Sequence, residues 1–437
     1  MTVPLHDWTA RELVRAMADG RVSAVDVMEA HLDRIAALES SVHAWAFLAP
    51  EAALTAARAA DERRSAGMPL PALHGLPVGV KDIIDTADMP TTYGTRVHAS
   101  RRPAQDATLV ARLRAAGAIV VGKTVTSEYA LFVPGPTRNP HDLARTPGGS
   151  SSGSAAAVAA GMVPAALATQ TNGSTIRPAS FCGIVGYKPS LGLLPRTGIL
   201  RQAAILDQPG LMARSVDDVA LLAQALGGRD ETDEQSFDAE VVVDDGHRAL
   251  RIGLVRGPYW LRAERSTREA IEAFTAGAAT PIEDVELPSD FATAAEVLTL
   301  IMETGIAEAY RADAETHRDL MPDLVLKTID RGRSRSAVDL LRALQTRSDL
   351  RLRFDAIAAP YDALITPASV GIAPLVVDGT GDPLFATLWT LLGVPSISLP
   401  LLKGENGLPL GLQLVSRSRN DATLLRAAAQ LLLSPPH

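Results

Sequence analysis

Short apolar runs at residues 119–121, 252–255, 363–366, 396–399 and 410–415 are too brief for helices, and helical patterns fall between several of them. Strands alternating with helices predict an α/β protein whose sheet is covered on both faces. The chain has 437 residues, 47% of them hydrophobic, which is ample for a large core. With 21% charged residues it reads as ordered along most of its length.

The first elements read as two helices. Thr9 followed by Glu12 is a capping box, and Ser23 followed by Asp26 is a looser version of one. Gly20 separates them. Leu13, Ala16 and Met17, then Val27, Met28, His31, Leu32 and Ile35, recur at helical spacing. Later, Leu109, Val110 and Leu113 form a helical stripe that Gly117 stops before the strand at 119–121. The Ala-rich run 155–168 is too short to span a membrane and reads as a buried helix. Residues 230–247 are acidic and polar apart from the valines at 241–243, and predict a surface connection. Residues 293–354 read as mostly helical, with Arg331, Arg333 and Arg335 on a solvated face.

Forty-two Lys and Arg against 50 Asp and Glu leave a net charge of −8. This balance argues against nucleic acid or an anionic membrane surface as the main partner. Cys182 is the single cysteine, so no internal disulfide or Cys-based metal cluster can form, which fits a cytoplasmic setting. The first nine residues lack the basic stretch and apolar core of a secretory signal. No clustered His and carboxylate set suggests a metal.

Two short motifs mislead. Residues 117–124 match the phosphate-loop pattern, but Ala118, Ile119, Val120 and Val121 are the residues expected to form a strand rather than a nest of N–H groups. Residues 149–153 match the G-x-S-x-G elbow, yet Pro147-Gly148 stands where a strand is required. His247, His317 and His437 follow it without a context that singles one out.

Three other segments carry chemistry together. Lys81 ends the apolar run after His74, and desolvation there would turn an ammonium toward a neutral amine able to act as a base. The competing reading is a lysine paired with Asp82. Around Ser150, Thr146-Pro-Gly-Gly-Ser-Ser-Ser-Gly offers permissive glycines and three consecutive hydroxyls that can relay protons; the alternative is a flexible linker. In Thr171-Asn-Gly-Ser174, a Gly before a Ser lets backbone N–H groups turn toward one point, as an oxyanion hole requires. The alternative is a polar turn.

Taken together, these segments resemble the amidase signature family. The spacing from Ser150 to Ser174, the run from Ser174 to Gly183, and the later stretches 395–400 and 407–413 all carry the resemblance. It implies a single amidase domain over residues 1–437, with a long, mixed, twisted sheet flanked by helices on both faces. Within it would lie N-terminal helices at 9–37, a signature core at about 70–225, a variable helical part at about 290–355 and a return to the sheet at about 360–435. It implies a metal-independent Ser–cisSer–Lys triad without cofactors: Ser174 as nucleophile, Ser150 as relay and Lys81 as base, with Thr171, Asn172 and Gly173 holding the oxyanion and an acyl-enzyme on the way to carboxylate and ammonia. Asn172 departs from the usual Gly and Gln170 from the usual Asp.

The Gln170 form, the Ser-Ser-Ser-Gly-Ser loop and Ile176-Arg177-Pro178 resemble the malonamidase branch. There Arg177 would bind a substrate carboxylate, since a guanidinium fork matches one bidentately. The other reading pairs Arg177 with a carboxylate of the protein. The expected partner is therefore a small amide, malonamate-like, with a homodimer as a compatible assembly. The alternative functions are the glutaminase subunit of an amidotransferase complex, and a non-catalytic binding protein on the same fold.

Overall fold

The computed structural model describes residues 3–238, 241, 249–278 and 281–433. Both N-terminal capping boxes are formed. Thr9 Oγ1 accepts from Glu12 N–H at 3.2 Å while Glu12 accepts from Thr9 N–H at 2.8 Å. Ser23 and Asp26 exchange the same pair of bonds at 2.9 Å each. They start helices Ala10–Ala18 and Ala24–Val42, whose apolar stripes turn inward.

Eleven strands form one sheet: β1 (Trp45–Leu48), β2 (Pro77–Lys81), β3 (Ile119–Thr124), β4 (Ala165–Gln170), β5 (Val185–Lys188), β6 (Gln208–Ala213), β7 (Ile252–Leu254), β8 (Glu283–Asp284), β9 (Ala363–Pro367), β10 (Ser396–Lys403) and β11 (Pro409–Val415). Their order is β1-β3-β2-β4-β6-β5-β10-β11-β9-β7-β8. Strands β3, β2 and β4 run parallel, as do β9, β7 and β8, and the central pairs are antiparallel. The sheet is thus mixed and flanked by helices, as expected. Its parallel segment matters most, because the carboxyl ends of neighbouring parallel strands open onto one crevice.

A second apolar core lies under helices Ala294–Ala309, Asp323–Arg333, Ala337–Ala358 and Leu384–Leu392. Leu298, Ile301, Ile329 and Phe354 fill it, and the Phe354 and Trp389 rings sit 5.2 Å apart. Among the described residues no helix is long and apolar enough to cross a membrane.

The structure corrects several expectations. The run 155–168 is not one helix: helix Ser152–Ala159 ends, Gly161 adopts a left-handed φ of 72°, and β4 begins after Pro164. Gly161 and Pro164 break the helix as those residues do, and the remaining alanines serve a strand buried at every position. Arg331, Arg333 and Arg335 are exposed, as a solvated face requires, and in addition Arg331 and Arg335 grip the buried carboxylate of Glu303, at 2.5 and 2.7 Å. Residues 230–238 pack through Asp233, whose carboxylate pairs with Arg196. Of the valine run, Val241 is buried, and 242–243 lie outside the described residues, as do the rest of that connection to 247 and His437.

Candidate active site

Parallel pairing sets Val80 of β2 opposite Leu167 of β4, so Lys81 and the end of β4 emerge side by side. Lys81 is fully buried. Its Nζ donates to Ser150 Oγ at 2.8 Å and to Thr169 Oγ1 at 2.7 Å. Burial drives its pKa well below the ordinary lysine range, and the negative charge of Asp207 offsets this only in part. The pairing with Asp82 is absent: that carboxylate accepts from Thr92 and lies 3.9 Å from Lys123.

The segment around Ser150 is no flexible linker. Gly148 takes a left-handed φ of 85°, and the Gly149–Ser150 peptide bond is cis. Ser150 C=O accepts from Ser127 N–H, and Ser151 Oγ exchanges hydrogen bonds with the Thr169 backbone. A Cβ at Gly153 would stand 2.2 Å from Ala44 O and 2.3 Å from Val125 N, so only glycine lets the next helix start so close to β3. The three consecutive hydroxyls do not form a relay among themselves. Ser150 meets Lys81, Ser151 the β4 backbone, and Ser152 the Val125 carbonyl at 3.4 Å.

Beyond β4, Gln170 organises the next turn. Its Oε1 accepts from Thr175 and Ile176 N–H at 2.9 and 3.0 Å, satisfying two donors at the start of helix Ile176–Cys182. Its Nε2 donates to Thr390 Oγ1, a bond an aspartate could not make. Asn172 is tied to the same helix: its Oδ1 accepts from Thr387 and its backbone carbonyl from Thr390. A Cβ at Gly173 would meet Pro383 Cβ at 2.8 Å. The N–H groups of Asn172, Gly173 and Ser174 have no acceptor among the described residues, and Ser174 Oγ, partly exposed, likewise takes up no hydrogen bond there.

Arg177 is buried, lines the same small cavity as Ser174, makes no ion pair with a carboxylate among the described residues, and has its Nε unpartnered there. Its guanidinium donates to the carbonyls of Gly381 and Gly149 at 2.5 Å each, and to Thr380 Oγ1 at 3.5 Å. Burial lowers its pKa to about 10, with Asp382 opposing the shift. The residue therefore straps the serine loop to residues 380–381.

Three cavities meet around these groups. One of about 20 Å³ borders Ser174 and Arg177 and is closed by Ala130, Leu131, Phe132, Met302 and Pro383. Through Thr171 and Gln202 it adjoins one of about 470 Å³ that reaches Thr169 and Asp207. Through Phe132 it adjoins an outer cleft of about 390 Å³. Asp207 accepts from Thr171 Oγ1 at 2.7 Å and from the N–H groups of Gln202 and Ala203; burial raises its pKa to about 6.

Thr169, Asp207, Thr387 and Thr390 were not singled out by sequence. The polar residue one position before Gln170 was a readable signal for the first; the other three come together only in the fold. The misleading motifs separate cleanly. Residues 119–124 are strand β3, with Lys123 buried and bonded to Ile84 O and Thr91 Oγ1. No strand precedes Gly149, and His317 is exposed beside Thr316. Cys182 is buried, which pushes its thiol pKa up, so it packs rather than attacks.

Lys81 is hydrogen-bonded to Ser150, and Ser174 sits on a separate turn whose N–H groups lack acceptors among the described residues; no hydrogen bond joins the two serines. The family model Amidase matches residues 26–425. A glutamyl-tRNA(Gln) amidotransferase subunit of Chloroflexus aggregans is 38% identical, over 97% of this chain and 95% of the relative. The corresponding amidotransferase subunit of Anaeromyxobacter sp. strain K is 36% identical over 96% and 95%. Among solved structures, one from work on a vestigial protein complex and the evolutionary origins of an s-triazine catabolic enzyme superposes with a TM-score of 0.92 at 31% identity, over 98% of this chain and 99% of the other. Native peptide amidase from Stenotrophomonas maltophilia gives 0.85 at 29% identity, over 99% of each. The chain belongs to the amidase signature family, whose members are hydrolases of carbon–nitrogen bonds.

Proposed function

We propose that this chain hydrolyses a small linear amide through an acyl-enzyme on Ser174. The observation that carries the reading is the fully buried Lys81 amine, 2.8 Å from Ser150 Oγ, at the carboxyl end of β2, where β4 leads into the Ser174 turn beside it. A neutral Lys81 takes the Ser150 proton as Ser150 takes that of Ser174, and Ser174 Oγ bonds to the amide carbon. The N–H groups of Thr171, Asn172, Gly173 and Ser174 stabilise the oxyanion. The same proton returns through Ser150 to the leaving nitrogen, the C–N bond breaks, and ammonia or amine departs. Water then attacks the ester, its proton passes by the same relay, and the carboxylate leaves Ser174 free. Neither metal nor cofactor enters these steps.

For the substrate, the names of the curated relatives favour an ammonia-releasing, glutaminase-type subunit over a malonamate hydrolase. Arg177 lines the small cavity beside Ser174 with its buried Nε unpartnered, so its bonds to Gly381 and Gly149 leave a donor for a substrate carboxylate and do not decide between the two readings. A partner subunit is then the assembly to seek, in a cytoplasmic setting, ahead of a homodimer. Ammonia release from glutamine, malonamate, malonamide and neutral aliphatic and aryl amides, with Ser174→Ala beside the native chain, tests the reaction. Release unaltered in Ser174→Ala sinks it. An Arg177→Ala variant that raises KM for malonamate alone would restore the malonamate reading.

A further inference from the structure

A cavity of about 330 Å³ that shares Glu234 and Gln235 with the one of about 470 Å³, and does not include Ser174, collects positive charge. Arg347 and Arg351 from helix Ala337–Ala358 and Arg419 from the loop after β11 line it, with the hydroxyl-bearing Ser236 and Ser418. Its volume is that of a small-molecule site. Arg347 and Arg351 are one turn apart on one helix face, an arrangement that like charges disfavour. Several other arginines find carboxylates: Arg331 and Arg335 hold Glu303, Arg353 holds Asp290, and Arg426 holds Asp362. This cluster differs. Glu234 borders the cavity, yet among the described residues no carboxylate oxygen lies within 4.0 Å of these three guanidiniums.

The donors are also held ready. Arg347 is anchored by its Nε to Leu391 O at 2.7 Å, and the charge of Arg351 adds to burial in lowering its pKa to about 10. The Arg419 guanidinium lies 4.3 Å from the Phe237 ring centroid. The Arg351 side chain makes no hydrogen bond or ion pair with the described residues. Ser418 Oγ is buried and has no partner among them. Asp355, four residues beyond Arg351, accepts from Ser418 N–H at 2.7 Å, and neither it nor Glu234 forms an ion pair with the three guanidiniums.

We propose that this cavity binds a phosphate group, either free phosphate or the phosphomonoester of a small metabolite. Three guanidiniums and the unpartnered Ser418 hydroxyl suit a tetrahedral dianion with several acceptor oxygens better than a single carboxylate, which one fork satisfies; the Ser236 hydroxyl is already bonded to Asp230. The site touches the catalytic region mechanically. Arg347 holds Leu391, on the helix whose Thr387 and Thr390 tie down Asn172.

Isothermal titration of the full chain with inorganic phosphate and with glycerol phosphate, at ionic strength matched by chloride, is the test. Binding of either is expected, at least tenfold weaker in Arg351→Ala and in Arg419→Ala, with Arg351→Lys intermediate and with native melting temperatures in chloride. Preference between the two probes identifies the source. No heat above the chloride control overturns the proposal, as does equal affinity in native chain and both alanine variants. Binding that appears only after Asp244→Asn and Asp245→Asn also overturns it, making the acidic connection the occupant. None of these readings depends on amidase activity.

Discussion

Lys81 and Lys123 occupy neighbouring parallel strands, β2 and β3, and both are fully buried. Their partners differ. Lys123 donates to the Ile84 carbonyl, to Thr91 and to Thr86, and has Asp82 at 3.9 Å. Burial lowers its pKa, but Asp82 and then Asp85 hold it at about 8. Lys81 meets only the hydroxyls of Ser150 and Thr169, and its pKa falls well below normal. A third buried lysine, Lys188, is wrapped by the Val394 and Pro189 carbonyls and Gln208 Oε1. Carbonyl oxygens can only accept, so Lys188 has no proton route through them. Burial alone therefore does not make a base. A hydroxyl that can both accept and donate, without a paired carboxylate, distinguishes Lys81.

The sharpest break in this comparison is replacement of each lysine by methionine. Lys81→Met is expected to lose several orders of magnitude in kcat/KM for amide hydrolysis, while Lys123→Met keeps activity per folded molecule within about tenfold. Urea titration should reverse the ranking. Lys123→Met leaves Asp82 buried without its cation and should lose about 3–5 kcal/mol, partly recovered by adding Asp82→Asn. Lys81→Met should gain about 0.5–2 kcal/mol, as removal of a costly catalytic group commonly does.

The pH dependence sharpens the comparison further. Because Lys81 has a lowered folded pKa, the unfolded chain binds more protons between that value and about 10.4, so native stability rises with pH across that window. In Lys81→Met this contribution disappears, and the stability gain over the native chain should shrink toward pH 10. Asp207 raises the Lys81 pKa, so Asp207→Asn should move the acidic limb of kcat/KM to lower pH; an unmoved limb would detach Asp207 from the base. The smallest effect belongs to Thr169→Val, which removes one acceptor from Lys81. A loss of about 1 kcal/mol in transition-state stabilisation, read as roughly a fivefold fall in kcat/KM, is expected.

Much of this was legible along the chain where signals are local. Thr9 with Glu12 and Ser23 with Asp26 announce their helices because a cap and its partner lie three residues apart. The strands at 252–254, 363–367, 396–403 and 409–415 are bounded by turn residues. Strand β4 was hidden, since Ala165-Ala-Leu-Ala carries no period and continues the alanines of the preceding helix. Strands β2, β5 and β6 contain Gly or Pro, which weaken a strand signal while serving close packing. In the site, Lys81, Ser150 and Ser174 stand out by motif. The supports do not: Thr387 and Thr390 follow Asn172 by more than 200 residues, and no local pattern connects them.

The strap through Arg177 has a bearing on how the protein is made. Residues 81 to 174 hold every group proposed to react, yet Gly381, Thr387 and Thr390 hold the two serine-bearing loops, and β10 supplies the neighbour of β5. A chain emerging from the ribosome thus carries its reactive serines long before it carries their supports. Any hydrolysis on Ser174 should be silent until the last fifth of the polypeptide has been synthesised and docked, so that a prematurely terminated product is inert.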